Sequence, residues 1–434
     1  MNPEFRRQLW LGFSPTRLVV LPLLLIACFA AAYLTVNVTA NARAASTLAI
    51  TGATLFAVLV WGMGTFAVGA SVTDEVTDRT WDQQRMSAMQ PWAMTWGKLG
   101  GASAYGWYGG ALCLVVAVPA AFLSEYGDRV LQFTASAILL GLFLQALLIA
   151  VNLQLLKNAG VKARRGGVWL LLLVGLQALL PLIGMSRELM VTWWNQPFNN
   201  VNFALVSLAL FAACALVAAW RSMAEVLAVR QMPWGWPALA LLATAYLSGF
   251  APSHRLATVG VVGIGTCGLL TYFALLSEPQ PRPMWQRVVT RMTAGQWRAA
   301  LLQLPRWPTT LLLSVPFSLL TSLALNQPDS TPWVAAQTML AHPVSAVLLL
   351  VRDCALALFF AFSVKNRRAV ASFLLLMVVL YGLLPLLAGA TGSSFLLGLA
   401  QPWLATGGAS LLAAAVHAAM ALALLRWRWR STAP

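Results

Sequence analysis

Across 434 residues, 60% of the side chains are hydrophobic and 9% are charged, where an average soluble domain carries about 25% charged residues. So few ionic groups cannot cover a water-soluble fold of this length, and so apolar a chain is not disordered. The formal net charge of +16 reads as the Arg and Lys excess that holds loops on the cytoplasmic side of a membrane, not as a nucleic-acid surface, which leaves an all-α polytopic membrane protein.

In chain order, residues 3–14 (PEFRRQLWLGFS) form an amphipathic helix for the inner-leaflet interface. Phe5, Leu9 and Phe13 share its apolar face, Trp10 stands beside them, and Arg6 and Arg7 lie away from it. Leu18 to Val38 is long enough to span and is read as a retained first helix, not a cleaved signal peptide. A span needs about 20 apolar residues. Twelve candidates follow, at roughly 18–38, 47–70, 100–123, 131–154, 167–185, 200–220, 233–251, 257–277, 308–325, 341–363, 369–390 and 403–425. With the N-terminus inside, 23 of the 28 basic residues fall on cytoplasmic segments and four (Arg43, Arg129, Arg187, Arg255) outside; Arg352 lies within a span. That asymmetry fits an even number of spans with both termini cytoplasmic. Trp10, Trp92, Trp96, Trp169, Trp220, Trp307 and Trp427 fall at span ends, as interfacial anchors do. The five cysteines are scattered through apolar runs without metal-ligand spacing and read as packing residues.

Four of the twelve acidic residues crowd between spans two and three: Asp74, Glu75, Asp78 and Asp82. Residues 73–89 hold no Gly or Pro and are expected to run as one helix, with Glu75–Arg79 and Asp82–Arg85 able to pair on its surface. Pro91 then ends it, and Gly97-Lys98 leads into the third span. This stretch, 73–98, resembles the coupling region of type-two ATP-binding-cassette (ABC) exporter permeases. The matching positions are Glu75, Asp78, Arg79, Thr80, Trp81, Pro91, Gly97 and Lys98, with Arg79 where the family carries a glycine. The resemblance covers residues 1–221. It implies that this region docks on a separate cytoplasmic nucleotide-binding subunit, which holds the ATP and Mg. It also implies an interfacial helix before span one and short extracellular hairpin helices in the loop RELMVTWWNQPFNN before span six.

Residues 222–434 hold six further spans, and their cytoplasmic segment 283–306 repeats an order. Thr77, Trp81, Pro91, Trp92 and Thr95 are echoed by Thr293, Trp297, Pro305, Trp307 and Thr309, while the acids are gone. Two organisations stay open: two fused half-permeases, or a six-span permease with an unrelated extension that works as a homodimer or with an additional permease subunit. Arg352 and Asp353 sit near the middle of span ten, as a substrate-path or proton-relay site or as a structural link between helices; as neighbours on a helix they need not pair with each other.

No Gly-x4-Gly-Lys-Ser/Thr phosphate loop and no catalytic motif appears, so no enzyme activity, metal or cofactor is expected of the chain itself. The expected function is the membrane subunit of an ABC exporter in a bacterial inner membrane, moving a lipid-like or amphipathic substrate. A proton-coupled carrier using Asp353 is the alternative. A membrane glycosyltransferase is disfavoured because the first outside loop, Thr39 to Ser46, has no acid.

Overall fold

The computed structural model describes residues 2–39, 44–87, 89–125, 127–159, 190–229, 231–251, 256–325, 343–363, 368–402 and 408–431. Among these residues, ten helices are long and apolar enough to cross a membrane. The protein is a helical, multi-pass membrane protein. Its chain divides into two compact units, Met1–Val191 with Pro197–Gln231, and Thr192–Gln196 with Met232–Pro434.

In the first unit, Asn2 caps α1 (Pro3–Gly12) by accepting from the Glu4 and Phe5 amides at 3.0 and 3.4 Å. Span one is α2 (Pro15–Thr39). Span two runs through α3 (Ala44–Phe56), a π-helical segment (Ala57–Gly64) and α4 (Thr65–Thr77). A π-helical turn withdraws a carbonyl from the regular ladder. Here the buried Gln145 answers it, donating to the Val60 carbonyl at 3.1 Å while its own oxygen accepts from Trp107 Nε1 at 3.0 Å. Next come α5 (Trp81–Arg85), α6 (Pro91–Ala102), α7 (Ala104–Phe122), α8 (Val130–Ala159) and α9 (Asn200–Val226). Span two packs on spans one and three, and α8 on α9. Two cores form between them, one around Leu25, Phe56, Val60 and Cys113, the other around Val72, Met94, Ile149 and Met223.

The second unit holds α10 (Gly235–Ser248), α11 (Leu256–Ser277), α12 (Arg282–Thr293), α13 (Trp297–Leu301), α14 (Trp307–Leu325) and α15 (Pro343–Ala361). Then come α16 (Ala369–Val378), a π-helical segment (Val379–Leu383), α17 (Leu384–Ala390), α18 (Ser394–Ala400) and α19 (Gly408–Ser431). Here α11 packs on α10 and α14, and α15 on α19, which is the neighbour pattern of the first unit. Hydroxyl pairs join its helices where apolar surface gives no net drive to associate: Thr244–Thr266 at 2.7 Å, Thr271–Thr310 at 2.8 Å and Ser345–Ser410 at 3.0 Å.

Three expectations change, and one falls on residues the structure does not describe. The fifth span, 167–185, lies outside the described residues. The seventh is 14 residues long, about 21 Å of helix against about 30 Å of hydrocarbon. The loop before span six carries a two-stranded hairpin, Met190–Trp193 with Gln196–Asn199, and not a helical one. Its two turn residues, Trp194 and Asn195, both take positive φ (50° and 56°), the backbone of a tight hairpin turn. Finally, Trp307 is no interfacial anchor: it is 5% exposed and packs on Trp285, and both indoles donate to Gln280 Oε1.

Candidate functional site

The stretch 73–89 is not one helix. Helix α4 ends at Thr77 in a stop whose bonds are local: Arg79 N–H donates to the Val76 carbonyl at 3.3 Å and Thr80 N–H to that of Glu75 at 2.9 Å. This pair of bonds requires a left-handed residue between them, and Arg79 supplies it at φ 59°. A glycine would carry no Cβ penalty at this position; for arginine the conformation costs about 1 kcal/mol. After Thr80 the five-residue α5 starts, and Pro91 opens α6 at its first position, where its missing N–H has no intrahelical partner to lose.

The eight residues singled out from the sequence divide into two sets. Asp78, Arg79 and Thr80 are exposed on the turn, together with Asp82, Gln83, Arg85, Met86 and Ser87. Glu75, Trp81, Gly97 and Lys98 are buried beneath it, and Pro91 is half-buried. The expected surface pairs are absent: Glu75 turns inward, away from Arg79, and no ion pair joins Asp82 to Arg85. Trp81 closes the underside, 7% exposed, with Lys98 Nζ 5.6 Å from its ring centroid.

The inward groups form a four-ion cluster. Lys98, fully buried, donates from Nζ to Glu75 Oε2, to Glu4 Oε1 at 3.2 Å and to the Ser71 carbonyl at 3.3 Å. Arg7 grips both oxygens of Glu4, at 3.0 and 2.9 Å, and reaches Glu75 Oε1. Gln8 donates to Glu4 Oε1 at 2.9 Å. Two carboxylates and two cations cancel, which is the condition for burying any of them. Burial pushes the Glu4 carboxyl up, but the hydrogen bonds from Arg7, the charge of Lys98 and the Gln8 amide outweigh it and hold it down at about 2.

The cluster corrects the reading of α1. Its protein-facing residues are Glu4 and Gln8, Arg7 turns in with them, and Trp10 and Leu11 are exposed. Glycines on α6 make the fit possible: a Cβ at Gly97 would lie 2.7 Å from Glu4 Cβ, and one at Gly101 2.6 Å from Gln8 Cβ. Sequence reasoning missed Glu4 and Arg7 as members of the site. The available signal was the spacing of Glu4 and Gln8, two polar residues one turn apart at the start of an amphipathic helix.

The second unit repeats the turn's backbone. Helix α12 ends at Thr293, Gly295 takes φ 73°, and Gln296 N–H donates to the Arg291 carbonyl at 2.9 Å. A five-residue helix follows that again begins on tryptophan. Thr77, Arg79, Trp81, Arg85 and Pro91 meet Thr293, Gly295, Trp297, Leu301 and Trp307 at one constant spacing along the chain, so the helix start at Pro91 corresponds to Trp307 and not, as the residue types suggested, to Pro305. The same helix stop occurs at Ala228 (φ 58°), where among the described residues no five-residue helix follows. The side chains of the second turn differ: Trp297 is 61% exposed, and Glu278 and Arg306, on the segments before and after the two short helices, pair at 3.1 Å.

Arg352 and Asp353 form the other buried charge site. They do pair, Arg352 Nε donating to Asp353 Oδ1 at 2.8 Å. Asp353 Oδ2 accepts from Tyr272 at 2.5 Å and Tyr381 at 2.6 Å. The Arg352 guanidinium lies 4.9 Å from the Tyr381 ring centroid, and its Nη1 is 3.1 Å from His417 Nδ1. One ion pair thereby ties together α11, α15, the π-helical segment of span eleven, and α19. Asp353 is 0% exposed and receives three hydrogen bonds, the pattern of a link between helices. Compared with family models, with characterised proteins and with solved structures, the chain matches none.

Proposed function

We propose that the chain is the membrane subunit of an ABC exporter. A separate cytoplasmic nucleotide-binding subunit grips the turn 77–87 and drives export of a lipid-like or amphipathic substrate across a bacterial inner membrane, with both termini of the chain cytoplasmic. The observation that carries this reading is the division of the coupling stretch. It has an exposed turn of hydrogen-bonded backbone that carries Asp78, Arg79, Asp82 and Arg85, and beneath it an ion cluster that joins the turn to α1, to the end of span two and to the entry of span three. A push on such a turn moves three elements as one body, as a rigid-body transporter requires. The left-handed backbone at Arg79, where the resembled family carries glycine, supports the same reading. So does the lack of a phosphate loop, since the energy must then come from a partner.

The matching turn at Thr293–Leu301 and the shared neighbour pattern favour two fused half-permeases over an unrelated extension. The proton-carrier reading loses ground, because Asp353 is sealed from solvent and fully hydrogen-bonded. The test is purification of the chain with the products of neighbouring genes. A bound ATPase is expected, and charge reversal at the exposed Asp78 and Asp82 should abolish its transport-coupled hydrolysis while thermal unfolding stays unchanged. Lack of any ATPase partner, or full coupling in the reversed variant, overturns the proposal.

A further inference from the structure

Helices α17, α18 and α19 border an open groove of about 320 Å³. Leu384, Leu387, Leu396 and Leu399 make its walls, Thr391 stands toward the end of span eleven, and His417 contributes the single ionisable side chain. His417 is the tenth residue of the 24-residue α19, about 14 Å along a helix rising 1.5 Å per residue, close to the mid-depth of a hydrocarbon layer about 30 Å thick. A polar group at that depth is costly unless it is hydrogen-bonded.

The hydrogen bonding of the ring fixes what it can offer. Arg352 Nη1 is a donor and nothing else, so at 3.1 Å the His417 Nδ1 atom accepts from it. The proton of the neutral imidazole then sits on Nε2, on the edge of the ring away from Arg352. Arg352, 4% exposed, also keeps its Nη2 amine without an acceptor among the described residues. Asp353 does not supply one: its Oδ1 takes Arg352 Nε, and its Oδ2 takes the Tyr272 and Tyr381 hydroxyls. The cluster is therefore short of acceptors, not donors, and its His417 side faces a groove walled with leucine.

We infer that this groove binds an amphiphile bearing an acidic head, its hydrocarbon chain lying along the leucines and its carboxylate or phosphate oxygen accepting from His417 Nε2. An apolar wall ending in an unmet N–H, held by a guanidinium that itself keeps one amine without an acceptor, is complementary to that chemistry and to neither a plain hydrocarbon nor a cation. The inference deepens the proposed export of amphiphiles by naming the head group. Binding itself needs no nucleotide and no partner subunit, so the absence of an ATPase would leave it standing.

The test uses the full chain in phosphatidylcholine nanodiscs with three photoreactive probes: a palmitic acid analogue, a lysophosphatidic acid analogue and a headless hexadecane analogue. Mass mapping should place the acidic probes on Leu384–Ala400 and on the peptide containing His417; the stronger of the two tells carboxylate from phosphate. His417→Phe removes a hydrogen bond to a charged group and should lower this labelling about tenfold. Leu387→Trp, which fills the groove without touching the ion pair, should abolish it and decides the matter if His417→Phe fails to fold. Groove labelling by the headless probe as strong as by the acids, or labelling that persists in folded Leu387→Trp, overturns the inference.

Discussion

Trp81 and Trp297 each begin a five-residue helix behind a left-handed helix stop, yet the first is 7% exposed and the second 61%. The backbone of the two turns is the same; what lies beneath differs. Under the first, a buried lysine and two buried carboxylates pull the tryptophan down over them. At the second, a partly exposed Arg306–Glu278 pair and a Trp285–Trp307–Gln280 contact join the segments before and after the turn, and Trp297 is left outside. A helix stop is a local device that short-range hydrogen bonds can build anywhere. Whether it becomes a lever depends on the long-range contacts that tie it to the spans.

The largest effect that separates the two turns should come from Lys98→Met. It strands Glu4 and Glu75 in the interior with Arg7 as their remaining counter-ion, and should cost about 3–5 kcal/mol, read as a lowered unfolding temperature in detergent. Exchanging Glu75→Gln in the same molecule should recover part of the loss; an unchanged melting temperature in Lys98→Met would dissolve the comparison. Acid acts on the same cluster. Glu4 keeps its charge in the fold down to about pH 2 but takes up a proton near the ordinary glutamate value of 4.5 when unfolded. Its stabilising contribution is therefore complete above that value and is lost as pH falls from about 4.5 to about 2. In Glu4→Gln this part of the pH–stability curve should flatten.

Trp81→Ala should follow at about 3–5 kcal/mol, the cost of emptying a buried tryptophan site. Trp297→Ala should stay within about 0.5 kcal/mol, as exposed substitutions do. Equal losses at the two positions would show that the second turn is covered in the assembled protein. Gly101→Ala should cost about 1–3 kcal/mol by wedging α1 off α6, and a protease cutting after Arg6 or Arg7 should then cleave faster. The smallest effects sharpen the comparison by their signs. Arg79→Gly relieves a left-handed arginine and should stabilise by a few tenths to about 1 kcal/mol, whereas Gly295→Ala should destabilise by about 1 kcal/mol. Two shifts of the same sign would mean that the two backbones are not equivalent.

Length, apolar runs and charge asymmetry were enough to find ten of the expected spans, because each is a local count of residues set against the thickness of hydrocarbon. The boundary at Pro91, the chemistry gathered around residues 73–98 and the recurrence around Thr293 were also legible, being matters of residue type and order. Which side of each helix meets protein was not. In water, an apolar stripe marks the buried face. In a bilayer, lipid is as apolar as leucine, and Leu23, Leu24 and Ile26 of α2 stay exposed in the fold while their neighbours Leu21 and Leu25 are buried.

The same ambiguity hid the polar sites. Nothing in PEFRRQLW says that Glu4 meets Lys98, or that Tyr272 and Tyr381 close on Asp353, since those partners lie 94, 81 and 28 residues apart in the chain. Local order determined which segments are long apolar helices and which carry charge. The tertiary structure alone decided which charges neutralise one another, because an ion leaves water only where a distant partner is waiting for it.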